Sequence, residues 1–142
     1  MAITSAVCSS FKQQVLVGTH NLTASSGNSF KLALYTSSAT LGAASTAFVT
    51  TGQSSGTNYT SGGNALTNIT PVLSGTTAVC DFSDLTFGNA TITARGCMIY
   101  NDTNADKAVC IIDFGADKTS TAGDFTVVFP SPTATGAIIR LA

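Results

Sequence analysis

The side chains that usually carry chemistry are scarce in this chain. Its 142 residues include one His, seven acidic residues that are all Asp, six cationic residues and no Trp. Proton transfer and metal ligation depend mainly on His, Glu, Asp and Cys. We therefore expect no enzyme, and the sequence assigns no catalytic, cofactor-binding or metal-binding residue.

The single His and one pair of Asp residues are the candidates for catalysis. His20 has no identifiable nucleophile as a partner, since no Gly-x-Ser-x-Gly motif occurs. It follows a predicted helix, so we expect a role at the helix end or at an interface. Asp81 and Asp84 would favour an enzyme only if they converged in a cleft. Solvated turn carboxylates are the simpler interpretation.

The four Cys residues show no spacing that is typical of a metal site. Cys8, Cys80, Cys97 and Cys110 form no Cys-x-x-Cys pair and lie near no His cluster, so zinc is not expected. Strand alternation places Cys80 and Cys110 in the core, and Cys97 on the opposite face. Cys8 falls in an N-terminal arm that we expect to be exposed, which makes it the most reactive thiol. A crosslink through Cys8 is the alternative to four reduced thiols.

One turn resembles the opening of a calcium loop. Asp102, Asn104 and Asp106 place oxygen ligands at positions 1, 3 and 5, as an EF-hand loop does. The next position is Lys107 instead of Gly, and the chain has no Glu to complete the site. A polar hairpin turn explains these residues better, and a weak calcium site is the alternative.

Charge and hydropathy exclude two partner classes. A net charge of −1 offers no basic surface to neutralise phosphates, so nucleic acid is not an expected partner. No apolar stretch is long enough for a membrane span, and residues 1–10 have no signal-peptide pattern. We therefore expect folding in a reducing cytosol. Low charge also gives little repulsion between copies, which favours self-association.

The hydrophobic pattern predicts an all-β protein. Residues 9–17 have a weak helical pattern that ends at Gly18. Residues 36–63 are predicted to form a long ordered loop with room for one short edge strand. Residues that alternate with a period of two indicate strands. These strands are predicted at residues 30–35, 65–69, 77–82, 91–100, 107–114, 124–129 and 137–141.

This spacing predicts an antiparallel β-sandwich or jelly-roll-like barrel with one short N-terminal helix. Residues 1–27 are predicted to form an arm with the helix, and residues 28–142 the sandwich domain. The arm and the loop 36–63 are expected to provide most contacts with neighbouring subunits, because their residues are the least able to be buried within one domain. The predicted core consists of Phe82, Ile92, Met98, Ile112, Phe114, Phe125, Val127 and Phe129.

Two stretches carry a family resemblance. One runs from Phe30-Lys-Leu-Ala-Leu-Tyr through Thr40 to the Ser-Gly-Thr-Asn-Tyr-Thr-Ser-Gly-Gly segment at residues 55–63. The other is Ile92-Thr-Ala-Arg-Gly-Cys-Met-Ile-Tyr100, followed by residues 108–120. Together they resemble a family of small virion structural proteins of tailed bacteriophages, over most of residues 11–142. The resemblance implies a shell or tail component, made in the bacterial cytoplasm and built into the virion.

Two functions are consistent with that family. The first is a capsid decoration or cement protein, with the major capsid protein and further copies of itself as partners. The alternative is a tail or head fibre or tip module that binds host glycans. Sugar sites favour Trp and Tyr, and the chain has only Tyr35, Tyr59 and Tyr100. This composition favours the decoration protein.

Overall fold

Residues 2–142, which the computed structural model describes, fold into nine strands and one helix. The helix is α1 (Ser9–Leu16). The strands are β1 (Ala6–Val7), β2 (Phe30–Tyr35), β3 (Gly56–Thr57), β4 (Asn64–Ala65), β5 (Asn68–Ser74), β6 (Thr77–Phe82), β7 (Leu85–Asn101), β8 (Lys107–Val127) and β9 (Ile139–Leu141). Strand accounts for 50% of the chain and helix for 6%, which confirms the all-β prediction. No helix in the described part of the chain is long and apolar enough to cross a membrane.

Strands β7 and β8 form one long hairpin. They have 17 and 21 residues, and their register runs from Leu85 opposite Val127 to Asn101 opposite Lys107. The sequence predicted two strands where β8 is continuous, with a turn near residues 115–123. That prediction was wrong, because the chain stays paired with β7 through this region. Gly115 and Ala122 have positive φ angles of 82° and 45°, but both lie within the strand. Turn-type residues there mark irregularities in the pairing, as Gly often does in a strand.

The strands form two antiparallel sheets of unequal size. In the larger sheet the order is β1-β8-β7-β2-β4, and β3 pairs with β7 beyond the end of β2. The smaller sheet has the order β5-β6-β9. Two sheets and one short helix make the predicted sandwich. The accessible surface of 6877 Å² is close to the value of about 6,800 Å² expected for a folded monomer of this mass.

The N-terminal arm belongs to the larger sheet. Ala6 pairs with Ile111 and Val7 with Cys110, and the Cys8 N–H donates to the Val109 carbonyl at 2.9 Å. Cys8 is fully buried, which contradicts the predicted exposed and reactive thiol. The pairing with β8 explains the difference, because it draws the arm onto the sheet. Whether residues 1–27 form a unit of their own stays a prediction.

Helix α1 begins and ends close to its predicted bounds. Cys8 is its N-cap residue, and no side chain caps the first turn. Gly18 follows the helix with a φ of 78°, and its N–H donates to the Val15 carbonyl at 3.2 Å. This is the predicted glycine ending, since the left-handed conformation costs Gly little.

The long segment 36–63 packs on its own domain. Leu41 forms a bridge with Ile3, and Phe48 stacks on Tyr100 with ring centroids 4.8 Å apart. Ala39 and Leu41 are 1% and 5% exposed. The expectation that this segment and the arm lack buried residues was therefore wrong. Because both segments contain buried residues, a shortage of them cannot be the reason for contacts with other subunits. Such contacts stay a prediction.

Six of the eight predicted core residues are buried: Phe82, Ile92, Met98, Phe125, Val127 and Phe129. Ile112 and Phe114 are only half-buried, which corrects the prediction. For Phe114 the reason is a register shift in the hairpin, where Gly96 pairs with Asp113 but Ala94 pairs with Lys118. The extra residues of β8 leave the regular ladder, so the strand no longer presents Phe114 to the core.

The centres of β7 and β8 are buried on both faces. Cys97, Met98 and Ile99 are 0% exposed. Ala108 and Val109 are likewise 0% exposed. Cys97 was predicted on the face opposite the core, yet it is fully buried. Alternation identifies two faces of a strand but not what covers each of them, and here both faces are covered.

We expect two Phe→Ala variants to differ sharply in stability. Phe82→Ala removes a side chain that is 1% exposed, and should lower the free energy of unfolding by about 3–5 kcal/mol. Phe114→Ala removes a half-buried ring and should cost about 1–2 kcal/mol, since less apolar surface is lost. Urea unfolding followed by circular dichroism measures both. Equal losses would contradict the burial described for Phe114.

Candidate functional site

His20 is a structural residue between aromatic rings. Its ring lies 4.7 Å from that of Phe11 and 6.3 Å from that of Phe30. The Asn101 Nδ2 atom lies 3.0 Å from Nδ1, and Gln14 Oε1 lies 2.8 Å from Nε2. An amide nitrogen can only donate, so Nδ1 accepts and Nε2–H donates to Gln14. Burial, and then the charge of Lys107, lowers the pKa of His20, so the neutral form is favoured.

Asn101 connects His20 to the turn between β7 and β8. Asn101 is 0% exposed, and its Nδ2 atom also donates to Asn28 Oδ1 at 3.0 Å. Its Oδ1 atom accepts the N–H groups of Thr103 and Asn104, each at 3.1 Å. Each polar atom of this buried amide is thus hydrogen-bonded. The network joins the end of the hairpin to the segment after α1.

The turn considered as a calcium loop uses its polar groups internally. Asn104 Nδ2 donates to the Thr19 carbonyl at 2.6 Å. Asp102 forms an ion pair with Lys31 at 3.8 Å. Ala105 and Asp106 have φ angles of 55° and 54°, as tight turns require. Among residues 2–142, no group of three or more His, Cys, Asp or Glu side chains could hold a metal ion.

Asp81 and Asp84 each bind a backbone group. Asp81 accepts the N–H of its neighbour Phe82 at 2.9 Å, and Asp84 accepts the N–H of Phe129 at 2.9 Å. Asp84 thereby holds the end of β8 near the start of β7. Each carboxylate has a separate structural use, and neither lines the apolar cavities described below.

All four Cys residues are free thiols, and three of them are closed to solvent. Burial raises the pKa of Cys8 to about 11 and that of Cys97 to about 12. Cys110 is 2% exposed, as predicted for a core residue. Cys80 is half-buried instead of buried, because the strand alternation breaks in β6, where Val79 and Phe82 face the core. The register shift in the facing strand β5 accompanies that break.

The most prominent surface feature is an apolar groove along one side of the sandwich. We call it the seam, because it lies where the smaller sheet fails to cover the β8 side of the larger one. Three adjoining cavities of about 740, 340 and 560 Å³ form it. The first and second share Val7, and the second and third share Ile112, Pro130 and Ile138.

The two ends of the seam have different structures. At the helix end, α1 and β9 form the walls with Phe11, Leu16, Ile139 and Leu141, and Cys80 lies between them. The strand end is formed by β8 and the residues after it. Its apolar lining consists of Ile112, Phe114, Phe125, Val127, Val128 and Phe129.

Large apolar side chains project into solvent at both ends. Leu16 and Leu141 are 82% and 61% exposed at the helix end, and Val128 is 71% exposed at the strand end. Contiguous apolar surface of this kind marks docking sites more often than isolated exposed residues do. The seam is therefore the candidate functional site, and its use would be binding instead of catalysis.

Charges at the seam are unevenly distributed. The helix end carries Lys12 and Arg140. Within residues 2–142 the only ion pairs are Lys31–Asp102 and Arg95–Asp113, so no carboxylate neutralises either cation. The strand end carries Asp124 and Lys118, and the exposed Asp117 precedes Lys118.

Sequence reasoning did not identify the seam, although one signal was present. Val127-Val128 and Ile138-Ile139 are pairs of adjacent apolar residues in or beside strands. In an alternating strand, two neighbours point to opposite faces, so one of each pair must leave the core unless both faces are covered. Which member is exposed depends on the packing of the sheets.

The thiols should react in an order that differs from the sequence-based expectation. Cys80 lines the seam and is half-buried, whereas Cys8, Cys97 and Cys110 are at most 2% exposed. Native labelling with a maleimide should therefore modify Cys80 first and the other three only after unfolding. Mass spectrometry of the labelled peptides measures the order. A Cys80→Ala variant should lose the early reaction, and rapid labelling of Cys8 would contradict the described burial.

The only His of the chain makes stability depend on pH in a narrow window. The pKa of His20 is lowered in the fold, so the neutral state contributes stability above the unfolded value of about 6.5. That contribution is lost as pH falls below this value toward the folded pKa. The free energy of unfolding should thus be nearly constant from about pH 8 to 7 and decline toward pH 5. His20→Gln should flatten this decline, and parallel profiles would contradict it.

Comparison with protein-family models, with curated proteins and with solved structures found no match to this chain.

Proposed function

We propose that this chain is a structural virion protein of a tailed bacteriophage, most specifically a capsid decoration protein. In this role it binds the outside of the assembled shell and adds contacts between neighbouring shell subunits. The observation that carries the proposal is the seam, a continuous apolar surface with exposed Leu16, Leu141 and Val128. The resemblance of residues 30–63 and 92–120 to phage virion proteins supports the same role.

The distribution of polar groups supports binding over chemistry. His20, Asp81 and Asp84 bind groups of their own domain. A decoration protein needs no reactive group, because it acts by burying surface at a contact. A standard protein interface takes about 800 Å² from each partner. That is a modest part of the 6877 Å² surface of this chain, and apolar contact stabilises by about 25 cal/mol per Å².

The proposal also gives the partners and the location. The partners are the major capsid protein and further copies of this chain, and the protein is made in the host cytoplasm and resides in the virion. Net charge of −1 supports dense packing, since neighbouring copies repel one another little. The sandwich adds rigidity, because two long paired strands form the centre of the larger sheet.

The alternative is a fibre or tip module that binds host glycans, and the tyrosines weigh against it. Tyr35 Oη donates to the Val49 carbonyl at 2.6 Å, and Tyr100 Oη donates to the Gly62 carbonyl at 2.6 Å. Tyr59 Oη donates to Gln53 Oε1 at 2.9 Å. Every aromatic side chain of the described residues is buried or half-buried. A stacking platform for sugar rings is therefore not formed on this surface.

The test uses virions of the phage that encodes this chain. A deletion phage should yield heads that release DNA at lower temperature than complete virions, because they lack the added contacts. Purified chain added back should bind to the heads and restore the release temperature. Cryo-electron microscopy of the restored heads should show density on the shell. Density on the tail or fibres alone, or binding to host cells without binding to heads, would overturn the proposal in favour of the alternative.

A further inference from the structure

The open edge of β8 is the first observation that points to a partner for the seam. Strand β8 pairs with β7 over its whole length, but its other edge pairs with β1 only at Cys110 and Ile111. The Asp113 N–H donates to Ser5 Oγ at 2.8 Å, and no strand follows along residues 114–127. Proteins usually cover or interrupt such edges. Here the edge borders the apolar seam.

The two ends of the seam complement each other in shape. At the helix end, Leu16 and Leu141 project from the surface. At the strand end there is a cavity of about 560 Å³ beside Phe114 and Phe125. Projecting apolar side chains and an apolar cavity on one molecule are the two halves of a contact that a second copy can complete.

The charges of the two ends complement each other as well. Lys12 and Arg140 give the helix end two cations without a carboxylate partner. The strand end has Asp117 and Asp124 with one cation, Lys118. A helix end therefore attracts a strand end, whereas two helix ends would bring four cations together.

We propose that two copies of this chain bind each other through their seams, with the helix end of each against the strand end of the other. A two-fold axis relates the copies, so the same contact forms twice and closes the dimer. Leu16 and Leu141 of one copy enter the cavity beside Phe114 of the other, and Arg140 faces Asp124. The dimer uses the surface on which the proposed function rests and names a further copy of this chain as the partner that this surface binds. The shell then contacts other surfaces of the dimer, and sedimentation of the purified chain tests the dimer without the shell.

The orientation follows from the chemistry of both ends. Both ends have a cavity and projecting apolar side chains, so the charges decide the orientation. Placing like ends together would put Lys12 and Arg140 against their own copies. The antiparallel arrangement fills the cavity and pairs the charges in the same step. It also covers Cys80, which lines the helix end, so this thiol reports on the contact.

Sedimentation of purified chain tests the dimer. The wild type should sediment as a dimer at micromolar concentration, and labelling of Cys80 should slow as concentration rises. Leu141→Asp and Val128→Asp, one at each end, should each raise the dissociation constant at least tenfold. Leu73→Asp is the matched control, because Leu73 is 73% exposed on β5 and does not line the seam. Circular dichroism confirms that each variant is folded.

A charge exchange tests the orientation. Arg140→Asp and Asp124→Arg should each weaken the dimer, since like charges then meet at both contacts. The double variant should restore the wild-type dissociation constant within about threefold. Restoration supports the pairing of unlike ends, because variants that only harm folding do not rescue each other.

Three results would overturn the proposal. A chain that stays monomeric at millimolar concentration has no such contact. If Leu141→Asp then abolishes binding to heads, the partner of the seam is another virion protein and not a second copy. A dimer that Leu73→Asp weakens and Leu141→Asp leaves intact uses a different surface. Open-ended oligomers that grow with concentration would exclude a closed two-fold contact. If the wild-type chain forms the dimer but does not bind to heads, the decoration role is wrong and the dimer stands.

Discussion

The pairing of β7 with β8 is the interaction on which the rest of the structure depends. Strands β1, β2 and β3 all add to one of these two strands, so their positions follow from the hairpin register. The hairpin centre carries a continuous apolar run, Cys97 to Tyr100, that is at most 2% exposed. Such burial on both faces requires cover from both sides. Helix α1 and the smaller sheet cover one side, where the rings of Phe11, His20, Phe30 and Phe82 are in contact. Ile3 of the arm and Phe48 of the loop 36–63 cover the other side.

The length of the hairpin also explains the exposed seam. A strand of 21 residues extends beyond a second sheet of only three short strands. In the uncovered part of β8, some apolar side chains face the core and others line the groove. The length of β8 therefore contributes both to the stability of the larger sheet and to the apolar surface that is open for binding. The register shift near Asp113 marks the point at which β8 leaves the fully covered region.

The polar residues have a different distribution. His20 and Asn101 satisfy each other inside the domain, with Gln14 and Asn28 completing the network. Buried polar groups are costly unless they are paired, so this network holds one arrangement of the hairpin end against α1. His20, Asp81 and Asp84 likewise bind groups of their own domain. Four cations form no ion pair among the described residues, and two of them, Lys12 and Arg140, lie together at the helix end.

Local patterns in the sequence were sufficient for the fold class and for much of the core. Alternation with a period of two depends only on strand geometry, so it identified an all-β chain and placed Phe82, Ile92 and Met98 correctly. The helix and its ending at Gly18 were also predictable, since they depend on neighbouring residues. The scarcity of His and acidic residues directed the interpretation away from catalysis.

The tertiary structure decided which faces are covered and which are open. Cys8 and Cys97 are buried because distant segments pack over them, and no local pattern contains that information. Phe114 is half-buried because extra residues in β8 shift its register, and Gly115 marks that irregularity instead of a turn. The seam arises from the unequal sizes of the two sheets, a property of pairing between residues far apart in sequence. By itself the sequence determined the alternation of its strands, whereas the cover over each face depended on long-range contacts.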